Sequence, residues 1–292
     1  MQIIKPAKFI DYSLLILLSA IWGSAFVSIS YSVEYFPPFI IAFGRILLAS
    51  LFLLFFVFWN KLSFPRDKRT WSILILIGAL NNAVPFYLIS WGQQYISAST
   101  ASVMLAVGPF IALVMSHYIV NDEKFTFYKL LGVLLGFIGV FILLGEDFFS
   151  GDENSFYGKI AMLSAVFGYI ISGFLIRKIS YVPTLVCSSS MFITASIMMF
   201  PFLFFIPFES FEIVSMPFLV IIYLAIVPTA SASLIRINLV QKVGVQFMSQ
   251  VAYLIPMFAI FWSWIFFDEM PKSTIIIALV FIFLGLFIRR LK

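Results

Sequence analysis

The sequence predicts an all-α polytopic membrane protein, with ten transmembrane helices arranged as two inverted five-helix repeats around a central cavity. Three observations lead there. The 292-residue chain is 63% hydrophobic and only 11% charged, with a mean hydropathy of +1.10, against roughly 45–50% apolar and 25% charged residues in soluble domains. Apolar runs of the roughly 20 residues needed to cross a hydrocarbon layer follow one another from Asp11 to Lys292. The second half also repeats landmarks of the first. A β-barrel would instead show segments of about ten residues alternating in polarity, whereas these runs are longer and apolar on every face.

Polar punctuation places the spans at 11–31, 38–59, 71–92, 98–119, 126–145, 158–177, 184–206, 217–238, 245–267 and 273–291. Lys5 and Lys8 precede the first, which continues to about Ser30. That is longer than a signal-peptide core and has no convincing cleavage site, so the helix is expected to stay. Alternate loops carry Lys61, Arg66, Lys68 and Arg69, then Lys124 and Lys129, Arg177 and Lys178, Arg236 and Lys242, and Arg289, Arg290 and Lys292. The opposite set has only Lys159 and Lys272, while acids such as Glu34, Glu146, Asp147, Glu209 and Glu269 gather there. The cytoplasmic bias of Lys and Arg in short loops therefore puts both termini inside.

The repeat is visible at an offset near 146: "NDEKFTFYKLLGVLLGFIGVFILLGED" (121–147) is echoed by "FDEMPKSTIIIALVFIFLGLFIRRLK" (267–292). "SAIWGSAF" (19–26) faces "SAVFGYII" (164–171), Pro38 faces Pro183, and Pro109 faces Pro256. Five spans per unit is an odd number, so the second copy enters the membrane upside down, giving units 1–147 and 148–292. Inverted repeats related by an axis in the membrane plane are a common construction of secondary transporters, with the substrate site at the midplane.

At these residues the chain resembles the drug/metabolite transporter superfamily, and within it the EamA family of ten-helix transporters. "WGSAF" in the first span, "PPFIIAFGRILLAS" in the second, "ASTASVMLAVGPFIALVMSHYIVNDEKF" through the fourth and "GVLLGFIGVFIL" in the fifth carry the likeness, with weaker copies in the second half. The resemblance implies two five-helix bundles and a central cavity that carries small organic metabolites or amino acids across the bacterial inner membrane. This chain departs from the pattern where Gly-Glu usually follows the fourth helix: it has "NDE" and "FDE". It also has Phe167 for the Trp of the first-helix motif, and no Arg opposite Arg45 in the second half.

An ionisable residue at membrane depth costs roughly 2.5–3.5 kcal/mol on insertion scales and marks a functional candidate. Arg45 lies about seven residues into its span. It reads as an anchor for a substrate carboxylate, as a gate partner for Glu34, or as a cap for carbonyls of a broken helix. "GALNNAVPFY" and its counterpart "IVPTASAS" are proline-interrupted spans at matching positions, which point to a transporter site. Asn81 and Asn82 diverge by about 100°, so only one of them is expected to face the cavity; the alternative to solute contact is interhelical hydrogen bonding. Gln246, Gln250, Tyr253 and Met257 share one helical face, aimed inward on this reading. Trp22 is a candidate wall of the cavity. Tyr87, Trp91, Trp262 and Trp264 read either as an aromatic cage for a cation or, for Trp91 with Trp59 and Trp71, as part of an interfacial belt. His117 reads as a proton relay or as an interfacial packing residue, and "GVLLG" (132–136) as a close-packing device.

The candidate substrate-binding set is Trp22, Arg45, Asn81, Asn82, Tyr87, Gln246, Gln250, Tyr253 and Trp262. One Cys and one His leave no disulfide and no clustered metal ligands, and no phosphate-binding loop occurs. No catalytic residue, cofactor or metal is therefore expected. No carboxylate falls in the middle of a span, which favours uniport, exchange or potential-driven movement over proton coupling. The expected partners are a small organic solute and membrane lipid, without nucleic acid. A monomer is the expected working unit, with a dimer as the alternative. Amino acids or related zwitterions are the expected solutes. The alternatives are export of drug-like or cationic amphipathic compounds, a channel, and an intramembrane enzyme.

Overall fold

A computed structural model describes residues 5–120, 126–144, 153–206, 215–268 and 274–288. The described residues form helices and connecting turns without strands. In order the helices are α1 (Phe9–Ser32), α2 (Pro38–Trp59), α3 (Lys68–Gly92), α4 (Ala98–Ile119), α5 (Phe127–Leu144), α6 (Glu153–Lys178), α7 (Thr184–Phe205), α8 (Met216–Val243), α9 (Val245–Phe267) and α10 (Thr274–Ile288). Eight of these, all but α5 and α10, are long and apolar enough to cross a membrane. The acidic loops expected near 146–152 and 209–212, and the cations at 124, 272 and 289–292, lie outside the described residues. Side chains such as Phe58, Trp59, Phe204 and Phe205 stand exposed on the outer surface, where lipid rather than water receives them.

Local chemistry sets the helix ends. Pro38 occupies the first position of α2, where its missing N–H costs nothing. Asp67 caps α3 by accepting the Thr70 backbone N–H at 2.7 Å. That bond holds its carboxyl below the ordinary Asp value, so the cap is fully present at neutral pH and is lost only as acid protonates it. Gly244, at φ 98°, turns the chain sharply between α8 and α9. No earlier breaker follows the midpoint of α8, so the helix runs to Val243 instead of ending at the expected 238. Arg236, counted in the sequence as a loop charge, is thereby placed about two turns inside the helix.

Two helices widen in the middle. α3 is π-helical over Ala79–Ala83 and α8 over Ala225–Ser231. Pro85 follows the first stretch closely and Pro228 sits inside the second. A proline ring crowds the carbonyl four residues back, here Asn81 and Leu224, and the wider turn relieves the clash. The two stretches begin 225 − 79 = 146 positions apart, and α2 and α7 begin 184 − 38 = 146 positions apart.

Packing joins helices from distant parts of the chain: α5 runs along α10, α1 along α9, α3 along α6 and α2 along α7. Lipid supplies no hydrophobic drive between helices, so close approach at small residues matters. A Cβ added at Gly285 of α10 would lie 2.5 Å from the Gly132 carbonyl oxygen and 2.8 Å from the Gly136 nitrogen. The glycines of "GVLLG" thus form the α5–α10 contact. At the end of α8, Lys242 Nζ meets Asp11 Oδ1 at 2.5 Å and the Lys5 N–H donates to the Lys242 carbonyl at 3.0 Å, tying the start of α1 to the α8–α9 corner.

Gly23 is the close point of α1 and α9. A Cβ there would stand 2.6 Å from Phe258 Cβ and 2.8 Å from the Ala259 nitrogen, and a backbone cannot step aside without moving the helix. Gly23→Ala is expected to lower the thermal unfolding midpoint of the detergent-solubilised protein, with a cost of about 1–3 kcal/mol. Gly108→Ala, whose nearest neighbour would be Val166 Cγ1 at 3.5 Å, should leave the midpoint unchanged or raise it, since Ala favours helix over Gly.

Candidate functional site

The proline-linked interruptions lie in the middle of α3 and α8, and at the second of them a neighbouring helix bonds the backbone. Trp22 Nε1 on α1 donates to the Pro228 carbonyl at 3.1 Å. Around these interruptions lies a cavity, with about 990 Å³ of empty space when the solvent at its open mouth is counted. Its walls come from the eight longer helices, with no described lining residue from α5 or α10. Most of the wall is apolar or aromatic, including Phe26, Phe86, Ile170, Phe192 and Ile255.

Two guanidinium groups project into this wall. Arg45 on α2 is 3% exposed; its Nε donates to Thr229 Oγ1 at 2.9 Å and its Cζ lies 4.0 Å from the centroid of the Phe86 ring. Arg236 on α8 is 5% exposed; its Nη2 donates to the Tyr169 carbonyl at 2.9 Å and to Ser172 Oγ at 3.2 Å. The contacts are neutral oxygens and ring faces, and no Asp or Glu appears among the described lining residues. Neither arginine has a carboxylate partner among the described residues. Glu34, expected as a gate partner for Arg45, does not pair with it.

A chain of polar contacts crosses from α8 to α3. Ser172 Oγ, which accepts from Arg236, donates to Asn81 Oδ1 at 3.0 Å, and Asn81 Nδ2 donates to Asn82 Oδ1 at 2.9 Å. Two donors of this network, Arg236 Nη1 and Asn82 Nδ2, are buried and make no hydrogen bond. A buried donor without an acceptor costs about 1–3 kcal/mol, so the network is short of an acceptor at each of these two atoms.

The EamA-like transporter family matches residues 10–145 and again residues 156–290. The chain belongs to the EamA-like transporter family. It is similar to an uncharacterized transporter in the trpA 3′ region of Buchnera aphidicola subsp. Schlechtendalia chinensis, 34% identical over 166 residues, 56% of this chain and 54% of that protein. The alignment thus spans about half the length of that relative. Two Bacillus subtilis (strain 168) proteins, the uncharacterized transporters YdfC and YoaV, are 27% and 21% identical over 90% and 94% of this chain and 84% and 94% of their own lengths. A solved structure described only as the crystal structure of a protein shares the fold, with a TM-score of 0.78 at 18% identity over 98% of this chain and 100% of that one. This EamA-like protein is a multi-pass membrane transporter.

Of the residues singled out in the sequence, Trp22, Arg45, Asn81 and Asn82 line the cavity of this EamA-like transporter together. The others lie elsewhere. Tyr87 is 39% exposed and meets Phe39 edge to face at 6.3 Å. Trp262 is half-buried and donates from Nε1 to the Ala20 carbonyl at 2.9 Å. The α9 stripe is buried but points between helices: Gln246 Nε2 donates to Ser116 Oγ on α4, Gln250 Nε2 to the Phe247 carbonyl at 3.2 Å, and Tyr253 OH to Val133 O on α5 at 3.1 Å. The cavity face of α9 carries Met248, Ala252 and Ile255 instead. The ring of His117 lies edge-on to Tyr118, outside the lining. Arg236, Ser172 and Tyr169 were not anticipated, and Thr229 was flagged only as part of the "IVPTASAS" stretch. Arg236 already fell within the predicted span 217–238, which was the available signal.

Thr229 holds Arg45 across from α8, and the Thr side chain is itself buried. Thr229→Val keeps the shape and removes the acceptor, so it is expected to destabilise the protein by about 1.5–3 kcal/mol, read as a lower unfolding midpoint in detergent. Thr229→Ser, which retains the hydroxyl, should recover most of that loss.

Proposed function

We propose that this EamA-like protein is a secondary transporter that moves small organic solutes bearing an acidic group across the bacterial inner membrane by alternating access. Amino acids and related compounds fall within that class. The observation that carries the reading is the pair of proline-linked π-helical stretches, 146 positions apart, which contribute Asn82 and Thr229 to one central cavity. Discontinuous helices at matching positions of two halves are where transporters of this architecture build their sites.

On this reading residues 1–147 and 148–292 form two inverted five-helix units. The equal spacing of their helix starts and the two successive family matches support that division, with α5 and α10 completing ten crossings. Helices of the two units pack against one another, α1 along α9, α2 along α7 and α3 along α6, so rocking one unit against the other exposes the cavity first on one side and then on the other. Both termini lie in the cytoplasm, where the Asp11–Lys242 pair closes the inner end and must part for opening. Uniport or exchange is the proposed mode, because no described carboxylate lines the cavity to carry a coupled proton. One chain encloses the cavity, so the monomer is the proposed working unit. Cation export is the weaker reading: two guanidinium groups without an acid repel a cation.

Topology and flux test the proposal separately. Cys187 is the only cysteine and is fully buried, so single cysteines are introduced on a quiet background. Ser63→Cys and Ser215→Cys, in counterpart loops before α3 and α8, are expected to react with impermeant maleimide from opposite sides of the membrane. Reaction from the same side would rule out inversion. In proteoliposomes, uptake of a labelled amino-acid mixture should saturate and be accelerated by internal solute; linear uptake would overturn the carrier reading.

A further inference from the structure

We infer that the cavity takes a net-negative organic solute, a carboxylate on an apolar ring-bearing body, in preference to a zwitterion or a cation. This rests on the transport reading above and names its solute class. The first ground is charge: Arg45 and Arg236 contribute two cations to the lining, and no described lining residue is an acid. In a mostly apolar wall at membrane depth that charge is poorly screened, and an anion is the solute that offsets it.

The second ground is the sense of the unmade hydrogen bonds. Arg236 Nη1 and Asn82 Nδ2 are both donors and both buried, on residues 5% and 0% exposed. The side-chain acceptors of the same network are already engaged: Thr229 Oγ1 by Arg45, Ser172 Oγ by Arg236, Asn81 Oδ1 by Ser172 and Asn82 Oδ1 by Asn81. The network therefore has two donors to spare. A carboxylate brings only acceptors, and guanidinium and amide donors suit its two oxygens. The ammonium of an amino acid brings three donors into a region where donors are already in excess.

The third ground is the remaining wall. Trp22, Phe26, Phe86 and Phe192 offer ring surfaces around the polar network, which suits an aromatic or branched apolar body. Arg45 is bound across to Thr229 on α8, and Arg236 reaches Asn81 on α3 through Ser172. An anion seated between the two arginines would thus contact both halves of the chain, the place from which a solute can bias their rocking.

The test uses the purified full chain in detergent and four probes sharing a phenyl ring and a two-carbon arm: 3-phenylpropionate, phenylalanine, 3-phenylpropionamide and 2-phenylethylamine. Dissociation constants are measured by calorimetry and by shifts of the unfolding midpoint. The anion is expected to bind at least about tenfold tighter than phenylalanine, with the amide and the amine weaker still. Arg236→Gln should weaken 3-phenylpropionate about tenfold and leave the amide unchanged, and Asn82→Asp, which cancels one of the two cationic charges, should weaken 3-phenylpropionate relative to the amide. Phenylalanine or the amine binding as tightly as 3-phenylpropionate, or none of the four binding, overturns the inference. The wild-type series decides even if a variant fails to fold. Binding needs no flux: saturable proteoliposome uptake with the wrong binding order would sink only the anion preference, whereas the expected order without uptake would sink only the carrier.

Discussion

Backbone polar groups in hydrocarbon must find partners within the protein, and the centre of this transporter is organised around two places where a helix cannot satisfy its own. Pro85 and Pro228 each remove a donor and displace a carbonyl, and α3 and α8 answer by widening at Ala79–Ala83 and Ala225–Ser231. Side chains then take over: Trp22 bonds the Pro228 carbonyl, and Ser231 Oγ bonds the Ile226 carbonyl at 2.9 Å. Residues of both widened stretches, Asn81 and Asn82 from the first and Pro228 and Thr229 from the second, line the same cavity.

Close packing elsewhere holds that opening in place. α5 and α10 pack at Gly132, Gly136 and Gly285, and none of their described residues lines the cavity, so they serve as an outer brace. α1 presses on α9 at Gly23, where no side chain larger than hydrogen fits without moving the helix. Burying Arg45 and Arg236 at the centre works against stability, because neither has a carboxylate partner among the described residues. Neutral acceptors offset only part of that cost. A site left short of acceptors in this way is suited to a solute that provides them.

The membrane class, the helical content and the position of most helices were legible in the sequence because apolar run length reports directly on hydrocarbon thickness. The interruptions in α3 and α8 were legible too, since proline acts locally. At the site, Trp22, Arg45, Asn81 and Asn82 stood out as polar or amphipathic residues near a break. The α9 stripe shows where such reasoning stops: Gln246, Gln250 and Tyr253 do share a face, but that face meets α4 and α5. Periodicity says which residues point together and is silent on what they point toward.

By itself the sequence determined the solvent this protein folds in, its division into apolar helices, the two proline breaks and the repeated spacing, because each depends on composition or on neighbours along the chain. Only the tertiary structure decided which polar residues meet. Arg236 became part of the cavity because α8 continues to Gly244 and packs beside α6, bringing Ser172 and then Asn81 within reach. Those residues are separated by 64 and 91 positions, and contacts over such distances are set by how helices pack rather than by any local pattern.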